Sequence, residues 1–183
     1  MLILTGKSCS GKDSLSEELI KLGYKQIVTY TSRPMRPNEI DGVTYHYLKL
    51  EDFLHKAKEG FFLETKPYSV VDGIWYYGSS LESYHNADEN TLCILTPSGI
   101  EKLKENNISY IGFYINVSDE TIKKRQKQRK DKPKEAERRF NSDKIDFAGV
   151  EELIDFTINN EYRDIGLVAR EIDKLYRRKL NET

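Results

Sequence analysis

The sequence predicts an α/β fold, three layers in which helices cover both faces of a central parallel sheet, and three observations carry that expectation. Gly6, Gly11 and Lys12 stand at the spacing G-x-x-x-x-G-K, after the apolar run Leu2-Ile3-Leu4 and before the periodic Leu15, Leu19 and Leu22. The run Thr91–Leu95, TLCIL, is continuously apolar, as a strand buried on both faces of a parallel sheet must be. Elsewhere short apolar runs alternate with helical periodicity, the pattern of βα units.

Taken in order, Leu2–Thr5 reads as a buried strand and Lys12–Leu22 as a helix stopped by Gly23. Tyr24–Tyr30 is expected as a second strand, with Val28 and Thr29 β-branched. Ser32–Ile40 holds Pro34 and Pro37 and suits no central element. Leu50–Glu59 reads as a helix closed by Gly60, followed by short strands at Phe61–Thr65 and Ile74–Gly78 around the turn signal Asp72-Gly73. The core resumes with Thr91–Leu95, a helix near Ser98–Asn106 and a strand over Tyr110–Val117. Ser118 is an N-cap, with Asp119 and Glu120 in the first turn of a helix reaching Arg129. After Lys132-Pro133 a second helix carries Arg138, Arg139 and Phe140. Phe156–Ile158 is the last strand, and Ile165, Val168, Ile172, Leu175 and Tyr176 mark a closing amphipathic helix.

The loop at the start carries the chemistry. Its glycines let backbone N–H groups turn onto phosphate oxygens at a helix N-terminus, and Lys12 adds a mobile point charge. The Ser/Thr that usually follows the lysine and serves Mg²⁺ is Asp13 here, with Ser14 next. Composition narrows the partners. With 29 basic and 30 acidic residues in 183, the net charge is −1, so nothing in the overall charge draws the chain to nucleic acid or an anionic membrane. No apolar run reaches the roughly 18 residues of a span, and no N-terminal basic segment with a cleavage site is seen. Cys9 and Cys93 read as reduced thiols, and the expectation is a cytoplasmic protein. His46, His55 and His85 lack metal-ligand spacing.

Two further stretches narrow the class. Thr31–Leu48, TSRPMRPNEIDGVTYHYL, resembles the guanylate kinase signature T-x-R-x-x-R-x-x-E-x-x-G-x-x-Y-x-F, and Tyr76-Tyr77-Gly78-Ser79 is similar to that family's Y-Y-G-S. The order of phosphate loop, inserted flap, central strand, basic lid and Asn159-Asn160-Glu161 also agrees, over about Leu2 to Leu180. The resemblance implies a single P-loop kinase domain over 1–183: core 1–31, 81–120 and 140–183, nucleotide-monophosphate-binding flap 32–80, helical lid 121–139. It also implies ATP-dependent phosphorylation of GMP or dGMP with Mg²⁺, by a monomer or homodimer.

Residue by residue, the resemblance implies ATP binding by Gly6, Ser8, Cys9, Ser10, Gly11, Lys12, Asp13, Ser14 and Asn159. Arg33, Arg36, Tyr45 and Tyr77 would take the acceptor's monophosphate, with Glu39 orienting the arginines, because guanidinium forks match phosphate oxygens. Glu64 would accept from guanine N1–H and the 2-amino group, with Ser79 and Thr29 at the O6 edge. Lys12, Arg125, Arg129 and an arginine of the next helix, Arg138 or Arg139 with Arg139 the assigned one, would stabilise the charge spread over the moving phosphoryl group.

The chain departs from that pattern at Thr96-Pro97-Ser98, where guanylate kinases usually carry D-x-D. That loss, with the loop's GKDS, resembles ribose 1,5-bisphosphate phosphokinase, although that relative lacks equivalents of Arg36 and Glu64. Asp13 is assigned as the metal carboxylate that Thr96 and Ser98 do not provide. A sugar-phosphate kinase and an inactive phosphopeptide-binding module are the alternatives. Retention of Gly11-Lys12 speaks against the second, and the absence of stacking aromatics among the lid's basic residues speaks against RNA binding.

Overall fold

The computed structural model describes residues 1–183 except 71, 72, 130, 131, 162 and 183, and without the side chains of 69 and 70. Its elements run Leu2–Thr5 (β1), Lys12–Lys21 (α1), Lys25–Gln26 (β2), Tyr30–Thr31 (β3), His46–Tyr47 (β4), Leu50–Lys58 (α2), Phe62–Val70 (β5), Gly73–Ser80 (β6) and Leu81–His85 (α3). They continue with Thr91–Ile94 (β7), Pro97–Glu105 (α4), Ile111–Asn116 (β8), Asp119–Gln128 (α5), Pro133–Asp146 (α6), a 3₁₀ turn at Val150–Leu153, Phe156–Asn159 (β9) and Ile165–Asn181 (α7).

Five strands form one sheet in the order β2-β7-β1-β8-β9, every neighbouring pair parallel. The alternation of β1 sorts its side chains between two cores. Leu2 and Leu4 pack with Leu15 and Leu19 of α1 and Val168, Ile172 and Tyr176 of α7. Ile3 faces the other way and joins Cys93, Ile100 and Leu103 under α4. Burial of each such side chain stabilises by about 2 kcal/mol, so sheet and helices are one cooperative body. The cap expected at Ser118 is present, its Oγ accepting from Thr121 N–H at 3.1 Å, and Thr96, which the sequence does not mark as a cap, accepts from Gly99 N–H through Oγ1 at 3.4 Å. Among the described residues no helix is long and apolar enough to cross a membrane.

A second sheet, β4-β3-β6-β5, stands apart from the first. It corrects the expected strand over Tyr24–Tyr30. Lys25–Gln26 pairs with β7 in the central sheet, whereas Tyr30–Thr31 pairs with β4 and β6 in the second. Ile27 N–H still donates to Leu92 O at 2.9 Å, and His46 N–H already donates to Thr29 O at 2.9 Å, so the chain changes sheets within two residues. The hairpin is also longer than expected: β5 and β6 pair from Phe62 opposite Ser80 to Val70 opposite Gly73. Of the expected Asp72-Gly73 turn, Asp72 lies outside the described residues.

Candidate active site

The segment between β1 and α1 wraps around the Lys12 ammonium. Gly6 has φ +155°, and a Cβ there would lie 2.5 Å from Ile115 O; Gly11 has φ +101°, and a Cβ would lie 2.4 Å from Asn160 Nδ2. Both positions therefore exclude side chains by sterics as well as by backbone conformation. Lys12 Nζ donates to Gly6 O at 2.5 Å and Lys7 O at 2.9 Å, with Ser10 Oγ at 3.4 Å. Burial pushes the Lys12 pKa down, while the carboxylates of Asp13 and Asp143 pull it back up. Asp13 and Ser14 are both exposed at the start of α1.

Arginines of α5 and its C-cap close over the loop. Arg125 donates through Nη1 to Cys9 O at 3.0 Å and Ser10 O at 3.1 Å, and through Nη2 to Asn160 O at 3.0 Å. Arg129 Nη1 lies 3.6 Å from Cys9 Sγ. Asn160, buried, donates from Nδ2 to Ser10 O at 2.8 Å. Its neighbour Asn159, the residue expected from sequence, is exposed and accepts from Glu161 N–H at 2.9 Å, away from the loop. Arg138 and Arg139 both bond Glu135 on their own helix, with contacts of 2.7 Å each, so neither is brought to the loop. These contacts hold the Glu135 carboxyl down at about 2. Asp143 of α6 reaches the loop instead, its Oδ2 accepting from Ser8 N–H at 2.7 Å.

The second sheet gathers the other group. Buried Arg33 forks onto Glu39, Nη2 to Oε1 at 2.7 Å and Nη1 to Oε2 at 3.0 Å. Glu39 also accepts from Arg36 N–H at 2.7 Å and the Tyr47 hydroxyl at 2.8 Å, and the Arg33 fork leads these contacts in holding its carboxyl at about 2. The Arg33 guanidinium stands 5.5 Å above the Tyr45 ring, and Tyr45 meets Tyr77 edge-on at 5.8 Å. Arg36 is exposed on the same loop. Thr29 meets this sheet through its backbone, accepting from His46.

Glu64 faces a cleft of about 900 Å³ between β5, the first turn of α4 and α6. Ser79 Oγ donates to its Oε1 at 3.1 Å. Burial raises the Glu64 pKa, opposed by that hydroxyl and by Lys66. Thr96 and Ser98 line the same cleft, their hydroxyls 3.0 Å apart. Lys66 and Asp146, which sequence reasoning did not single out, face it too and pair at 3.4 Å. Asn160 was within reach of the sequence: Ile158 points inward, and a strand's two-residue period carries Asn160 to the same side. Asp143 carries no local signal, because its partner lies 135 residues away.

Comparison with known proteins bears on the fold and the family. The sequence profile described as guanylate kinase matches residues 1–168. A guanylate kinase of Bifidobacterium longum is 30% identical over 177 residues, 90% of this chain and 87% of that protein. One from Sulfurimonas denitrificans is 33% identical over 170 residues, 88% and 80% of the two chains. In fold, the crystal structure of guanylate kinase from Anaplasma phagocytophilum superposes with a TM-score of 0.69 at 22% identity, covering 98% of this chain and 85% of that one. Profile, sequence and fold agree along nearly the whole length: the chain belongs to the guanylate kinase family.

Proposed function

We propose that the protein transfers the γ-phosphoryl group of ATP to the monophosphate of GMP or dGMP. The observation that carries this reading is the half-buried carboxylate of Glu64, paired with Ser79 at the back of a nucleotide-sized cleft in a chain that also keeps a lysine-centred phosphate loop. An ionised Glu64 accepts from guanine N1–H and the 2-amino group. Adenine has an acceptor at N1 and leaves that carboxylate unpaired, a mismatch that discriminates strongly.

The acceptor phosphate would lie against Arg36, Tyr45 and Tyr77, with Arg33 fixed by Glu39 as the base of that wall. Its oxygen attacks the γ-phosphorus while the bridging oxygen leaves with ADP. Lys12, Arg125 and Arg129 stabilise the negative charge spread over the moving group; such catalysis consists almost entirely of positioning and electrostatics. Segments 32–80 and 121–139 act as flap and lid, and Arg139 would have to exchange Glu135 for the triphosphate as the lid closes.

Asp13 and Ser14 offer a carboxylate and a hydroxyl, hard oxygens at the loop's edge that suit Mg²⁺. Among the described residues no group of three or more acidic, histidine or cysteine side chains encloses a metal site unaided, which fits an ion shared with nucleotide phosphates. Bound there, Mg²⁺ would neutralise charge on the β- and γ-phosphate oxygens. A cytoplasmic setting accords with unpaired Cys9 and Cys93, and one chain supplies all these groups, so monomer or homodimer would serve.

The test is ADP release measured across GMP, dGMP, AMP, UMP, CMP and ribose 1,5-bisphosphate. Guanine nucleotides should lead by at least about 100-fold. Preference for AMP or for the sugar bisphosphate would refute the reading.

A further inference from the structure

The hairpin β5–β6 carries a cation that neither the loop nor the Arg33 wall accounts for. Residues directly opposite in an antiparallel pair present their side chains on one face. Glu64 stands opposite Ser79, and Lys66, two residues on and therefore on the same face, stands opposite Tyr77. The face that offers Glu64 and Ser79 to the base thus offers Lys66 and Tyr77 in its next row. Ring contacts make that row continuous with the phosphate wall. Lys66 Nζ is 5.9 Å from the centre of the Tyr68 ring, Tyr68 meets Tyr77 at 5.2 Å, Tyr77 meets Tyr45 at 5.8 Å, and Arg33 covers Tyr45.

Charge sharpens the point. Arg33 is committed to Glu39 through both nitrogens of its fork, so that pair offers an entering anion little net charge. The cleft adds the carboxylates of Glu64, Glu101, Asp146 and Glu152, and Lys102, which also lines it, is paired with Glu105 at 2.6 Å. Exposed Arg36 brings one cation to the phosphate, and a dianion is better balanced by a second that is also held loosely. Lys66 meets Asp146 at 3.4 Å with both side chains about one-third exposed, a contact of the kind that contributes little and exchanges easily. Its flexible four-carbon stem makes such an exchange short-range.

We propose that Lys66 is a specificity-determining residue of the acceptor site: it leaves Asp146 and binds the acceptor's phosphate beside Tyr77. This rests on the reading that the Glu64–Ser79 face receives a guanine nucleotide. The exchange also frees α6, which carries Asp146, from the hairpin when the acceptor arrives.

Calorimetric titration with GMP, and guanosine tested as its competitor, separates the alternatives in wild type, Lys66→Met, Lys66→Arg and Asp146→Asn. Lys66→Met should weaken GMP about tenfold, the loss expected for one charge-assisted phosphate contact, and leave guanosine unchanged. Lys66→Arg should keep most of the GMP affinity, and Asp146→Asn should hold or tighten it. Unchanged GMP binding in Lys66→Met would overturn the proposal. So would equal losses for GMP and guanosine, which place the lysine's effect on the base or the fold. Loss of GMP affinity in Asp146→Asn to the same extent would reduce Lys66 to half of a structural latch. A wild type that binds no GMP would overturn the acceptor reading itself, a result distinct from all the others.

Discussion

The phosphate loop and the cleft at Glu64 commit their polar groups in opposite ways. Around the loop, Lys12, Arg125, Asn160 and the Ser8 N–H all have protein partners at 2.5–3.1 Å. In the cleft, Glu64 keeps a carboxylate against burial with one serine hydroxyl and a lysine nearby, and its pKa rises. The loop is held in shape before any ligand arrives. The cleft carries an electrostatic cost that a ligand with two N–H donors would relieve. Preorganisation on the donor side and unmet hydrogen-bonding capacity on the acceptor side are different routes to selectivity.

Removing the centre of the organised half should have the largest effect. Lys12→Met should lower kcat about 1,000-fold, read in the ADP-release assay, while circular dichroism stays native. A loss under tenfold would mean the loop works without its cation. In the cleft, Glu64→Gln should raise KM for GMP about 100-fold, since an amide cannot accept from both guanine donors.

The same variant tests the cost. A carboxyl whose folded pKa is raised contributes stability below its ordinary value of 4.5 and loses it as pH rises through the folded pKa. Glu64→Gln should therefore melt about 2 °C higher than wild type at pH 7, a gain that disappears below pH 4.5. GMP use by the wild type should fall on acidification at a higher pH than for an ordinary glutamate.

Gly11→Ala brings a methyl group to 2.4 Å from the Asn160 amide at a left-handed φ, and should cost about 2 kcal/mol in urea unfolding. Unchanged stability would show that Asn160 yields. The smallest effect belongs to Glu39. Its carboxyl is depressed to about 2 from an ordinary 4.5, so its contribution is present above pH 4.5 and fades as pH falls toward 2. Glu39→Gln should flatten the acid limb of the stability profile in that window.

What was legible in the sequence follows from range. Gly6, Gly11 and Lys12 declare themselves because a phosphate loop is made by neighbours in the chain. Leu2–Leu4 and Thr91–Leu95 declare buried strands because parallel strands are apolar on both faces. Tyr24–Tyr30 reads as one strand because its composition says extended without saying which sheet supplies the partner, and two sheets each take part of it. Glu135 could have been paired with Arg138 and Arg139 by helical spacing. The contact between Lys66 and Asp146 spans 80 residues, and that between Asp143 and Ser8 spans 135, so only the fold reveals them.

The Asp143 contact has a thermodynamic corollary. The Ser8 N–H, in a loop suited to phosphate, already holds an anion supplied by α6. A nucleotide phosphate entering at that amide would replace one negative oxygen by another, and its affinity would measure the difference between them. Such an exchange leaves the local charge nearly balanced before and after. The amide would hold a negative oxygen throughout, Asp13 would stay beside the half-buried Lys12, and the helix bearing Asp143 would be released by the same event that fills the loop.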